Sequence, residues 1–308
     1  MQKIVICIGA SLIDDLFHSM EPMLMHTTNE VTVTRTAGGV SRNIAHQLAL
    51  LEVPVQLISV FGNDSDGDWL QEECIKAGIK LDAAVSSAQP TGKYTALINK
   101  DGSMFTAVKT NAALHLITPQ YLQDQQELLN TASFILVDAN ISSESISWLI
   151  DFSNRQKIKL IIETVSVPPA KKLAAINLNG VYLITPNEDE LPAICSEAAT
   201  TLEKQIKELL ARGVQNIWLH QGASGSALYN QKETLQLHAP QTEVLDCTGA
   251  GDGSVVGFIL SKFNGKDNLN SLRTAHTLSA EILQVNGAII SHLNQATLLQ
   301  NVSKYYEE

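Results

Sequence analysis

The 308-residue chain has no excess of basic charge: 21 Lys and Arg stand against 32 Asp and Glu, a formal net charge of -11. Nucleic-acid binders and proteins held on anionic membranes draw affinity from a basic surface, so both classes are disfavoured. An anionic small molecule remains compatible, because a local cation or a set of amides can line a pocket inside an acidic protein. Cysteine is scarce as well: Cys7, Cys74, Cys195 and Cys247 are widely separated and form no C-x-x-C pair. Neither a disulfide framework nor a zinc site is expected, and a reducing cytoplasm is the expected location. The eight histidines show no metal-ligand spacing. Long apolar runs are missing too. Ile4-Val5-Ile6-Cys7-Ile8 stops at Gly9, too short for a signal peptide or a membrane helix, and reads as a buried strand. There is no G-x-x-x-x-G-K-[ST] phosphate loop, and Gly222-Ala223-Ser224-Gly225 has the wrong spacing for a nucleophile elbow. With no low-complexity tract and no linker, residues 1–308 are expected to form one domain with a sizeable core.

What is present is an alternation of strand-length apolar runs with amphipathic helical stretches. Strands are expected at 3–9, 55–60, 133–138, 158–163, 181–185 and 215–220. Val40, Ile44, Leu48 and Leu51 share one helical face, as do Leu202, Ile206, Leu209 and Leu210. Strands buried on both faces and separated by helices predict an α/β fold with a mostly parallel sheet between two helical layers. After Gly249 the chain reads mostly helical to about residue 304. Two regions break the pattern. Residues 30–36 and 93–109 alternate as strands do, the second around an Asp101-Gly102 hairpin signal. They suit a small antiparallel sheet outside the main one: either a lid over a pocket or an ordinary surface hairpin.

Chemistry concentrates in Asp246-Cys247-Thr248-Gly249-Ala250-Gly251-Asp252. Residues 242–246 read as a short extended segment and 250–264 as a helix. Small residues at that junction let a ligand approach the backbone, and the free amides at the helix start suit phosphoryl oxygens. Asp252, in the first turn, could accept a proton from an attacking hydroxyl or simply cap the helix; spacing alone leaves both open. The helix dipole is expected to lower its pKa and make it a weak base, which positioning-dominated phosphoryl transfer tolerates. Gly251-Asp252-Gly253-Ser254-Val255-Val256-Gly257 also imitates a dinucleotide-binding turn, but the surrounding βαβ context is missing.

The 246–252 run, preceded by Gly38-Gly39 and Asn43, resembles the ribokinase-like (PfkB) family of carbohydrate and nucleoside kinases over essentially the whole chain. The resemblance implies a ribokinase-like three-layer αβα sandwich with a small β lid, here about residues 12–36 and 91–110. It also implies transfer of the γ-phosphoryl of ATP, with Mg²⁺, to a primary alcohol, and leaves room for a monovalent cation. On this likeness Asp252 is the catalytic base, with Gly249, Ala250 and Gly251 the anion hole beside Thr248. Asp14, Gly38, Gly39 and Asn43 would hold the acceptor. Asn187, Gly222, Gly225 and Thr248 would lie on the nucleotide side, and Glu190 would reach the metal through water. Asn187 and Glu190 also read as a capping box, and the two roles are compatible. Asn111 resembles the segment returning from the lid.

Within the family the likeness runs to pseudouridine kinases through Gly38-Gly39-Val40-Ser41-Arg42-Asn43-Ile44-Ala45, Leu48-Ala49-Leu50-Leu51 and Val137-Asp138-Ala139-Asn140-Ile141-Ser142. Val40 replaces the lysine typical of ribokinases, Leu12 an asparagine beside the acceptor acid, and Glu163 the usual Asp-Pro at its strand end. Gln221 stands where an apolar residue is common. Pseudouridine is therefore the first acceptor expected, with another nucleoside or sugar as the alternative. A catalytically weak metabolite sensor or an NAD-dependent dehydrogenase is further removed. Exposed lid strands carrying Val31, Val33, Ala96 and Ile98 would cover substrate or pair two subunits as a homodimer.

Overall fold

A computed structural model describes residues 4–110 and 113–306. The core is an eight-stranded sheet. Its order is Thr234–Leu237, Ser226–Asn230, Asn216–His220, Leu183–Ile184, Lys159–Glu163, Ala132–Asp138, Ile4–Ile8, Val55–Ile58. All neighbours are parallel except at one edge, where Ser226–Asn230 runs antiparallel to both Thr234–Leu237 and Asn216–His220. Strand alternation divides the core between the sheet's two faces. Ile6, Ile8, Ile135 and Val137 pack with helices Ser143–Gln156 and Leu202–Ala211. Val5, Cys7, Phe134 and Leu136 pack with Val40–Leu50, Ala250–Phe263 and Asn268–Ile282. The αβα sandwich expected from the sequence is thus the architecture observed.

Several boundaries differ from the sequence expectation. The run 55–60 is split: Val55–Ile58 stays in the main sheet, whereas Val60–Gly62 pairs with Val85–Ser87 in a separate two-stranded sheet. The run 181–185 contributes only Leu183–Ile184, and residues 242–246 are irregular. Val181 is buried by side-chain packing without joining a strand, and Val244 and Leu245 are exposed; a hydropathy pattern distinguishes neither case from a strand. The helical C-terminal third is interrupted at 283–294, before the last helix Gln295–Tyr306.

The lid is a four-stranded sheet ordered Val31–Gly38, Leu12–Ser19, Lys93–Ile98, Met104–Thr110. It is mixed rather than antiparallel, because Leu12–Ser19 and Lys93–Ile98 run parallel to each other. Residues Val55–Lys76 pass through the body between them, so the two hairpins arrive separately and meet side by side. Gly102, at φ +83°, turns the second hairpin as Asp101-Gly102 predicts. The base of the lid is tied to the helix Ser65–Lys76. Arg35 Nε and Nη2 donate to Asp15 at 2.7 and 2.9 Å, Arg35 Nη1 donates to Asp66 at 2.7 Å, and Lys93 also pairs with Asp66. Residues 111–112 lie outside the described part of the chain, and with them the expectation placed on Asn111.

Candidate active site

The site lies where the lid, the ends of the parallel strands and the start of helix Ala250–Phe263 converge. Strand Ile4–Ile8 runs into Leu12–Ser19, which carries Asp14, and the second lid strand returns to Gly38-Gly39 and helix Val40–Leu50. Gly38 is aligned with Leu12, and a Cβ there would run into the Asp14 carboxylate. Gly39 takes φ +99°, and its Cβ would strike the Ala10 carbonyl. The Gly-Gly pair therefore lets the backbone fold against the acid that it flanks.

Asn43 reaches across the site. Its Nδ2 donates to Asp252 Oδ2 at 2.9 Å, joining residues 209 positions apart in sequence. It does not cap its own helix, whose start carries no side-chain cap. Asp252 sits in the first turn of Ala250–Phe263, where Gly249 at φ +78° is the N-cap. A Cβ on Gly249 would meet Ala288, so the 283–294 loop closes directly over the turn. Asp246 fixes the turn from below, its carboxylate accepting from the Thr248 and Gly287 amides at 2.8 Å each. The amides of Gly251 and Asp252 make no backbone hydrogen bond among the described residues, as first-turn geometry dictates.

Electrostatics in the site departs from the sequence expectation. Desolvation pushes the Asp252 carboxyl up to about 7, the Asn43 hydrogen bond opposes this, and Asp138 and Asp14 reinforce it. Although Asp252 keeps some access to solvent through the site's mouth, it is surrounded by protein on most sides. The expected dipole-lowered, weak base is therefore corrected: loss of hydration and two neighbouring carboxylates outweigh the helix end. Asp14 is likewise raised to about 6, mainly by burial, with Arg42 and Lys109 pulling the other way.

Sequence reasoning did not assign Asp138 a role. It ends the central strand Ala132–Asp138 and is completely buried. Its Oδ2 accepts from the Ala10 amide at 2.8 Å, the Ser41 amide at 3.2 Å and Ser41 Oγ at 2.8 Å; its Oδ1 accepts from Asn140 N and Nδ2, each at 3.0 Å. It thereby holds the first crossover and the start of helix Val40–Leu50 in place. Its position at the carboxyl end of a central parallel strand was the available signal.

On the other side of Asp252 a cleft of about 760 Å³ opens, lined by Asn187, Gly222, Gly225, Ala250 and Gly251 among others. Thr248 is not among its lining residues and Cys247 is. His220 and His276 also line it. His276 Nε2 lies 2.7 Å from Ser226 Oγ, which accepts from Trp218 Nε1 at 2.8 Å, so His276 is anchored from behind. Burial pushes both imidazoles below their ordinary range, His220 to about 3. Asn187 and Glu190 form the reciprocal cap: Asn187 Oδ1 accepts from the Glu190 amide at 2.9 Å, and Glu190 Oε2 accepts from the Asn187 amide at 3.0 Å. Glu190 Oε2 also accepts from Thr164 Oγ1 at 2.5 Å, and Oε1 from Asn187 Nδ2 at 3.0 Å. Glu163 points into the same acidic region, where burial and then Asp252, Glu190 and Asp138 raise its pKa well above the ordinary value. Its Oε2 accepts from the Val165 amide at 2.8 Å, within a tight turn that holds Val165 at φ +69°, a strained conformation for a β-branched residue.

An acid beside free helix-start amides, with Asp14 and Asn43 on one side and a cleft of about 760 Å³ on the other, is an arrangement suited to a phosphotransferase acting on an alcohol. The chain belongs to the pfkB family of carbohydrate kinases, whose model matches residues 2–295. It is a PfkB-type sugar or nucleoside kinase. The chain is 32% identical over 273 residues to an uncharacterized sugar kinase, YeiI, of Escherichia coli K12, covering 87% of this chain and 73% of that one. It is 28% identical over 305 residues to the pseudouridine kinase of the same organism, covering 96% of each. A carbohydrate kinase from Agrobacterium tumefaciens superposes with a TM-score of 0.86 at 26% identity, covering 98% of this chain and 97% of that one. Arabidopsis thaliana ribokinase, solved with ribose and ATP, shares the fold with a TM-score of 0.83 at 23% identity, covering 98% and 99%.

Proposed function

We propose that the protein transfers the γ-phosphoryl of ATP to the hydroxymethyl group of a nucleoside or sugar, with pseudouridine as the foremost acceptor. The observation that carries this reading is the Asn43–Asp252 hydrogen bond, which links the acceptor side to the amide-bearing helix start. Asp14 would grip the acceptor's secondary hydroxyls against Gly38 and Gly39. Asp252 would take the proton of the primary hydroxyl as its oxygen bonds to the γ-phosphorus. The bond to the β,γ-bridging oxygen then breaks, and ADP leaves. Amides of the Gly249–Asp252 turn face the charge on the transferred group. A carboxyl with a pKa near 7 is well matched to this proton transfer at neutral pH.

Mg²⁺, when bound, would neutralise phosphate charge. Glu190 accepts two hydrogen bonds at Oε2 and one at Oε1, which fits contact with a metal's water better than with the metal itself. The nucleotide would occupy the cleft beside Gly222, Gly225 and Asn187. No helix among the described residues is long and apolar enough to cross a membrane. Support for pseudouridine comes from the full-length 28% identity to a pseudouridine kinase, together with Val40 and Arg42 in the Gly-Gly segment.

The test is a phosphorylation panel of pseudouridine, uridine, inosine, adenosine, ribose and fructose, with ATP, Mg²⁺, and with or without K⁺. Pseudouridine is expected to give the highest kcat/KM. A preference for free ribose would reject the acceptor while leaving the kinase; tight ligand binding without turnover would favour a sensor.

A further inference from the structure

The strand register of the lid says which side chains share the acceptor's compartment. Asp14 is aligned with Thr36 on one side and with Tyr94 on the other, and Tyr94 is aligned with Lys109. Aligned residues project from the same face of a sheet, so Asp14, Thr36, Tyr94 and Lys109 form one row. Two residues further along, about 7 Å away, the same face carries Leu16, Thr34, Ala96 and Ala107. The opposite face carries Asp15 and Arg35, which are tied to Asp66 of the body. Asp14's row therefore looks into the acceptor compartment.

That row is chemically uneven. Lys109 reaches from the end of the lid to the body, where its Nζ donates to Asn140 Oδ1 at 3.2 Å. Asn140 in turn donates to Asp138, so the ammonium hangs at the mouth from a fixed point and retains further donors. The half-buried Tyr94 ring lies along the same face, its hydroxyl 3.7 Å from Met104 Sδ. Beside it the same face continues in small side chains, Ala96 buried and Ala107 half-buried. An aromatic wall, small apolar neighbours and an ammonium with unused donors suit a flat heterocycle with carbonyl oxygens. A bare pentose presents hydroxyls on every edge and would leave the Tyr94 ring without a partner.

The geometry points to Tyr94 and Lys109 as the residues that read a planar, carbonyl-bearing ring on the acceptor, and so set preference for a nucleoside over a free sugar. This rests on the kinase reading above and deepens it. Tyr94 packs on the face of the ring, and Lys109 donates to a carbonyl at its rim. Neither takes part in the chemical step.

The experiment measures kcat and KM for pseudouridine and ribose in the wild type and in Lys109→Met, Tyr94→Ala and Tyr94→Phe. Lys109→Met and Tyr94→Ala are each expected to lower the pseudouridine-to-ribose ratio of kcat/KM by roughly tenfold, chiefly through KM. Tyr94→Phe, which keeps the ring, is expected to preserve the ratio. Equal losses on both acceptors would make Lys109 a lid latch and overturn the inference; so would unchanged ratios. A wild type that phosphorylates free sugars and no nucleoside overturns the nucleoside reading as well, and this is seen before any variant is made. Circular dichroism of each variant separates these results from misfolding.

Discussion

At the residue scale, two opposing effects meet on Asp252. The helix start and the Asn43 amide favour its charged form, whereas burial and the nearby Asp14 and Asp138 disfavour it. Burial prevails, and two pH dependences follow. Activity should rise with pH through a limb near 7, because only the ionised carboxylate can accept the proton. Asn43→Ala, which removes a donor to that carboxylate, should move the limb to higher pH; an unmoved limb in the pH profile of kcat/KM would dissociate Asn43 from the base. Stability should run the opposite way. Between the ordinary carboxyl value of 3.8 and about 7 the folded state retains a proton that the unfolded state has released, so this group's contribution falls as pH rises. Asp252→Asn is expected to cost on the order of 10² to 10⁴-fold in kcat while raising the melting temperature more at pH 8 than at pH 5. Full retained activity would remove the assigned role.

At the element scale, the start of helix Ala250–Phe263 does the positioning. Asp246 and the 283–294 loop hold its turn from two sides, leaving Gly251 facing open space. A Cβ on Gly251 would meet nothing within 4 Å. Gly251→Ala should therefore fold normally and still crowd the phosphates, raising the KM for ATP roughly tenfold or more; normal kinetics would place the phosphoryl group elsewhere. The lid is an element assembled from two distant hairpins, and its parallel central pairing can form only once the body has brought them together. Its ties to Asp66 are partly exposed ion pairs, each contributing about 1 kcal/mol or less. They fix the lid's orientation more than the stability of the fold.

At the scale of the whole molecule, the parallel sheet gathers residues from across the chain at its carboxyl ends. Asp14, Asn43, Asp138 and Asp252 converge there because successive crossovers return to the same edge. The lid then divides into two surfaces. Ala96 and Ile98 share Asp14's face, whereas Val31 and Val33 lie on the other, where Val33 and Val108 are 54% and 64% exposed. The apolar positions expected to serve either substrate cover or subunit pairing thus separate by strand parity. A second copy meeting the outer face would bury those valines, and light scattering at micromolar concentration is expected to give a dimer mass. A monomer mass would reject the pairing.

The sequence by itself determined the layered α/β architecture, since apolar runs of strand length can be buried only between helical layers. It also singled out the Gly249–Asp252 helix start as the proposed phosphoryl site, through the family likeness and order of the motifs rather than through spacing alone. Gly38-Gly39, Asn43 and Asp14 were legible through their order along the chain. What the linear pattern could not hold was anything set by pairing across distance. The mixed register of the lid, the role of Asp138 as a buried tie, the Asn43–Asp252 bond and the upward shift of the Asp252 carboxyl all depend on which segments desolvate one another. Hydropathy is a property of each residue alone, whereas pairing and desolvation belong to the assembled molecule. For that reason only the tertiary structure could show that the carboxyl at the helix start is raised toward neutrality rather than lowered.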